Sequence, residues 1–463
     1  MTLRTLFVAM LATLVSVSVI ARLQPPPPPP TPPASQTPPP RQPSEVELSI
    51  VGEPGAPPRY AVPDFIALTN DDQTRAAAKS IGQILWDDLA FEREFYMIQR
   101  DTYTSIPAAS SPQSVAFDRW RELGADALVV GTVQRVNDTF RVQAWLYNVK
   151  LQKSVFGKEY SGDTKNERIF AHTISDEIHM QQRALAGVAR TRLAFSSDRD
   201  LEKMTGPIQK RDVKEIYISD YDGANQRRVT IQRQLNITPA WSPDGRAIAY
   251  TSYRGDSPDI AVSFIYKAAA PARPANGKGH NFVPAWSPDG SKIAFWSNRD
   301  GNPEIYVMNA DGSNPRQLTH HRASDASPTW SPSGNQIAFT SDRTGTPQIF
   351  VMDADGLNVR QITHASYCDR PTWSPAPYNE IAYASRTGPG YDIVVYDIAT
   401  GQHRQITFGE GSNESPTFAA NGRHLAFMST RSGKSHIFTI GRDGKGLKQI
   451  TRVGNNYMPN WSR

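Results

Sequence analysis

Three residues before the proline of a recurring P-x-[W/F] phrase stand Asn236, Asn281, Asp325, Cys368, Asn413 and Asn456. Five of the six carry an amide or a carboxylate on a short arm. Such groups bond neighbouring backbone in turns, so the six read as local caps. A ring of them would also grip an inserted peptide or a cation, and the spacing fits both readings. Asp369 adjoins Cys368, and His280, Ser324, Tyr367, Ser412 and Asn455 precede five of the six as a candidate docking rim. No cofactor is called for; a Ca²⁺ here is compatible with the chemistry but not required by it.

Other chemistry-bearing patterns are weaker. "DYDG", "NADG" and "DADG" resemble pieces of a calcium loop, but none continues to the bidentate Glu that loop needs, and hairpin turns explain them. There is no G-x-S-x-G elbow, P-loop or H-E-x-x-H, and the nine His are dispersed. A nucleophile with its base cannot be assembled from the spacing, so the chain reads as a non-enzyme.

The elements that position the six groups come from a repeat. "PAWSPDGRAIAYTS" returns as "PAWSPDGSKIAFWS" and "PTWSPSGNQIAFTS". Ala194, Ala249, Ala294, Ala338, Ala382 and Ala426 recur at intervals of 55, 45, 44, 44 and 44 residues. Trp241, Trp286, Trp330, Trp373, Phe418 and Trp461 mark the strand before each, the last being a stranded "PNWSR". With an "IYVMNADG" hairpin and an "RQLT" strand, each unit makes four strands, which is a propeller blade. The first copy, "RLAFSSD" (192–198), lacks its own Trp strand and the last strand lacks a blade, so joining them closes six blades. The long first interval predicts an extra loop in blade one. The stretch 268–279 predicts a poor outer half in blade two. The six polar groups then lead into the innermost strands and should line one mouth of the central channel.

Upstream, residues 45–190 read as a small α/β domain. Strands are expected over 59–68 and 95–100, a helix over 71–92, a second ending at Gly124, a hairpin turning at Asn137-Asp138, and a third helix over 166–189. Residues 22–44 are a proline-rich spacer, extended and without a core; residues 25–43 would reach roughly 60 Å at ~3.1 Å per residue. Arg4, the apolar run Leu6–Ile20 and the small residues up to Ala21 read as an export signal over 1–21, too short for a permanent span.

The bulk numbers agree. There are 463 residues, enough for several domains, and 50 Lys and Arg among 45 Asp and Glu give a net charge of +5 without a basic block. That argues against a nucleic-acid partner. With a single cysteine, an exported chain has no intramolecular disulfide and depends on core burial.

The order of export signal, α/β domain and six "WSPDG…IAFxS" units, with "HNFVPAWSPDGSKIAF" at 280–295, resembles the TolB family over roughly 45–463. The resemblance implies a monomeric, non-enzymatic periplasmic adaptor of the Tol–Pal system, supporting outer-membrane invagination and envelope integrity. It implies that the propeller mouth binds the lipoprotein Pal. By motif, His280, Asn281 and Val283 match one Pal-facing loop, and Ala326 and Ser327 match the next. Asn236, Asp325, Asp369, Asn413 and Asn456 join them as candidates. It also implies that Glu45, Val46, Glu47, Leu48, Ser49 and Ile50 form the arm that contacts TolA. Here about two dozen residues, mostly proline, precede that arm, where TolB proteins ordinarily begin their mature chain with it. The repeat alone also resembles the propellers of prolyl oligopeptidase-like peptidases, and a periplasmic glycan-binding module is a further alternative.

Overall fold

A computed structural model describes residues 50, 52, 56–204, 212–254, 257–267, 269–275 and 278–462. The export signal, the proline-rich spacer and Glu45, Val46, Glu47, Leu48 and Ser49 lie outside them.

The stretch expected as one strand over 59–68 is two, β1 (Arg59–Ala61) and β2 (Ile66–Ala67). Pro63 falls in the gap, and proline has no N–H to donate to a ladder. Helix α1 (Asp72–Glu92) begins where Asp71 accepts the Thr74 amide at 2.9 Å, and it buries Ala78, Ile81, Leu85 and Leu89 as the periodicity requires. Next come β3 (Tyr96–Met97) and α2 (Phe117–Glu122). Strands β4 (Ala127–Val136) and β5 (Thr139–Asn148) form the expected hairpin, with Asn137 left-handed at φ 55.

An unanticipated strand, β6 (Lys153–Asp163), extends the hairpin. Its residues are mostly exposed, so it lacks the apolar alternation by which strands are recognised. Helix α3 (Glu167–Arg183) stops short of 189 because Ala184 turns left-handed at φ 52. The sheet order is β3-β1-β4-β5-β6, with β2 beside β4. Residues of α1 and α3 form one core with those of the sheet.

Six further sheets form the propeller. β7 (Arg192–Ser197) pairs antiparallel with the final strand Asn456–Trp461, setting Trp461 opposite Leu193 and Asn456 opposite Ser197. The ring therefore closes between chain segments more than two hundred and fifty residues apart. Five blades have four strands. Blade two has three (Asn236–Trp241, Ala247–Ser252, Asp259–Phe264), and at its poor outer half only the bridge Val262–Ala272 stands for a fourth. Between blades lie apolar layers such as Ala294, Ile305, Val307, Trp330, Ile337 and Phe339. Burying a side chain of the Phe339 kind contributes about 2–3 kcal/mol.

Each inner strand runs from its polar group to its tryptophan (phenylalanine in blade six). Among the described residues, every hydrogen bond and ion pair between the α/β domain and the propeller falls at the tryptophan end. Tyr221 donates to Asp88, Arg423 pairs with Glu92, Arg93 with Asp443, and Arg168 with Asp220 and Asp222. At the mouth at the other end no described residue of that domain makes a hydrogen bond or ion pair with the propeller.

Candidate functional site

The six polar groups do not line the mouth; this expectation is corrected. All six, Asn236, Asn281, Asp325, Cys368, Asn413 and Asn456, are fully buried at 0% exposure. They lie in the seams between blades. Asn281 donates to Asp259 on the preceding blade at 3.0 Å and accepts from Arg299 of its own blade at 2.9 Å. Asn413 does the same with Asp392 and Arg431, and Asn456 accepts from Arg199 beside His436. Asn236 donates to Glu215, and Asp325 pairs with Arg343 at 2.8 Å. Cys368 places its Sγ 3.6 Å from Ser385 Oγ, and burial pushes its thiol up. A buried amide or carboxylate must be bonded; the four asparagines are bonded across the seam, whereas Asp325 and Cys368 meet Arg343 and Ser385 within their own blades. Local backbone bonds of the expected capping kind are present at Asn281, to the Lys278 carbonyl, and at Asn456, to the Val453 carbonyl, but most of the bonds run between side chains.

The partner arginines were missed by the sequence reading, although an "S-x-R" triplet at 197–199, 297–299, 341–343 and 429–431 was there to find. Each lies over two rings of its own blade; Arg343 is 5.4 Å from the Phe339 centroid and 4.9 Å from that of Phe350.

What faces the axis is the residue two places on. Thr238, Val283, Ser327, Arg370, Ser415 and Met458 all have φ between 51 and 55, each immediately before the proline. At each, the register slips: Phe282 faces Trp296 but Ala285 faces Ala294. Six bulges thus repeat around the ring. A left-handed conformation is costly for branched residues such as Thr238 and Val283, and it persists here because pairing on both sides fixes it. The bulges and the prolines after them line a channel cavity of about 190 Å³.

The accessible rim is made partly by this ring and partly by the residues that lead into it. His280 is exposed, and Val283, Ala326 and Asp369 are half-buried, while Ser327 is largely covered at 8%. Of the ten mouth candidates, His280, Val283, Ala326 and Asp369 are therefore available to a partner, and the other six, Ser327 included, are buried. The rim is pinned: the amides of His280, Ser324, Ser412 and Asn455 each donate to a side chain of the adjoining turn at 2.7–2.8 Å. Asp369 accepts from Thr340 at 2.8 Å, tying blades four and five. Burial pushes Tyr367 up to about 12, with the Asp369 carboxylate adding to the shift. Phe282 stacks on Trp296 at 4.4 Å beside His280. Of the arm, only Ile50 is described: it is buried in the α/β core, its amide donating to Gln182 at 2.9 Å.

A family model described as "TolB beta propeller domain" matches residues 184–463, and one described as "TolB amino-terminal domain" matches residues 46–155. The chain belongs to the TolB family. It is 37% identical over 427 residues to the "Tol-Pal system protein TolB" of Bordetella avium, covering 91% of each chain. To the protein of the same name from Desulfosudis oleivorans it is 32% identical over 207 residues, 44% of this chain and 45% of that one, so it spans about half the length of that relative. The crystal structure of TolB from Acinetobacter baumannii matches with a TM-score of 0.71 at 25% identity, over 88% of this chain and 98% of that one. The α/β domain followed by six blades is thus the TolB architecture. No described helix of this TolB-family chain is long and apolar enough to cross a membrane.

Proposed function

We propose that this TolB-family chain is a non-enzymatic periplasmic adaptor of a Tol–Pal system. Its propeller mouth binds the lipoprotein Pal, and its amino-terminal arm, Glu45 to Ser49, contacts TolA, with the buried Ile50 as the arm's anchor in the α/β core rather than a contact. Through these contacts it supports outer-membrane invagination during division and envelope integrity. The observation that carries the reading is the rim itself: His280 on a pinned turn, and Val283, Ala326 and Asp369 near the starts of inner strands, stand at the propeller mouth to which no described residue of the α/β domain bonds. Rigid, pre-formed rims suit protein partners because little ordering entropy is lost on docking.

The test uses exposed positions. Asp325→Ala is unsuitable, because it would strand Arg343 inside a seam. His280→Ala combined with Ala326→Arg is expected to weaken Pal binding tenfold or more by calorimetry, with an unchanged thermal melt. Unaltered affinity would move the docking site elsewhere. For the arm, deleting residues 22–43 and measuring TolA affinity decides whether the spacer matters. The expected result is weaker capture if the spacer lends reach, and equal affinity with equal envelope integrity would remove that role.

A further inference from the structure

We propose that the propeller channel is an oxyanion site built on Arg370. Arg370 is the single charged residue among those lining the cavity. The other five places in its ring carry Thr238, Val283, Ser327, Ser415 and Met458. Behind them stand six prolines and the aromatic ring of Trp241, Trp286, Trp330, Trp373, Phe418 and Trp461. Among the described residues, the Arg370 side chain makes no hydrogen bond, ion pair or ring contact; its two recorded bonds are those of its backbone amide.

Two acids adjacent in the fold lie outside the cavity lining. Asp369 Oδ1 accepts from Thr340 and from the Arg370 amide, Glu414 accepts from Ser412 at 2.7 Å, and neither lines the cavity. Confinement in a cavity strengthens a charge's pull on its opposite, and the planar fork of a guanidinium matches a carboxylate or phosphate. Thr372 on the same strand and Ser415 on the next blade also line the cavity, and their hydroxyls are free of hydrogen bonds among the described residues, so they add donors. A cation is disfavoured at this level by the same charge.

The oxyanion has two sources: a carboxylate carried by a docked polypeptide, or a small anion from solution. The full chain is titrated with inorganic phosphate at fixed ionic strength, following the tryptophan fluorescence of the cavity wall. A saturable change is expected for the natural chain, at least tenfold weaker in Arg370→Met and intermediate in Arg370→Lys. Met fits the left-handed site, since Met458 already holds its equivalent in blade one at φ 53. Thermal melts check that both variants fold. In a second arm, Pal is titrated with and without phosphate. Mutual competition, or a tenfold loss of Pal affinity in Arg370→Met, assigns the oxyanion to the polypeptide. A phosphate response with Pal unaffected assigns it to solution. A phosphate response that persists unchanged in Arg370→Met overturns the proposal. So does no phosphate response together with undiminished Pal binding by that variant. Should Pal fail to bind the natural chain, the adaptor reading fails, and the phosphate arm decides the channel by itself.

Discussion

Asn281 shows what a single side chain does in this ring. Its amide donates back to Asp259 of the preceding blade, and its carbonyl receives Arg299 of its own, so one residue joins two blades. Asn281→Ala leaves a buried carboxylate and a guanidinium each short of a partner. The expected cost is about 1–3 kcal/mol, read from urea unfolding with an unchanged slope. A neutral result would mean that water replaces the amide. The position of this residue was legible from its place before Pro284; its burial was not. Its partners lie 22 residues back and 18 residues on, and only the closed ring brings both to it. Arg370 was overlooked for a related reason. Its significance is that five equivalents are neutral, which shows only when the blades are superposed around an axis.

Among the elements, α1 is the joint between the two domains. Its last turn presents Phe91 and Glu92 to His424, Asn421 and Arg423, while His172 and Tyr221 meet on Asp88. Burial holds His424 near 3 and His179, on α3, near 4. Below pH 6.5 the unfolded chain takes up protons that these rings refuse when folded, so stability falls as pH drops toward 4. Glu92 works in the opposite direction. Burial raises it to about 7 against the pull of Arg423, so the folded chain keeps a proton that the unfolded chain loses between 4.5 and 7. That adds stability as pH falls through this window. Glu92→Gln removes the counterweight, and the loss of melting temperature between pH 7 and pH 5 is expected to become steeper than in the natural chain. Equal slopes would show that Glu92 does not titrate in that range. The helix itself was plain from Ala78, Ile81, Leu85 and Leu89, whereas β6 was hidden because an exposed edge strand carries no apolar period.

At the scale of the molecule, the ring depends on its last strand. Trp461 donates through its indole to Thr191 at 2.7 Å and through its amide to Thr417 on blade six, while Asn460 accepts from the Trp241 amide on blade two. The strand is thus held by its own blade and by both neighbours. The repeat made this closure legible, since a first blade without its Trp strand and a final strand without a blade have one joint solution. Trp461→Ala should cost about 3–5 kcal/mol, because a nearly buried ring leaves a cavity. Ending the chain at residue 455 should do more: it bares the edge of β7 and leaves the indole site of blade one empty. Such a chain is expected to unfold without a single cooperative transition, or to aggregate through that edge. A synthetic peptide of residues 454–463 added in trans should restore a sharp melt, because the vacant edge has the register to receive it. A truncated chain that melts like the natural one, or a peptide that restores nothing, would mean that blade one holds together without the strand and that closure is not what stabilises the ring.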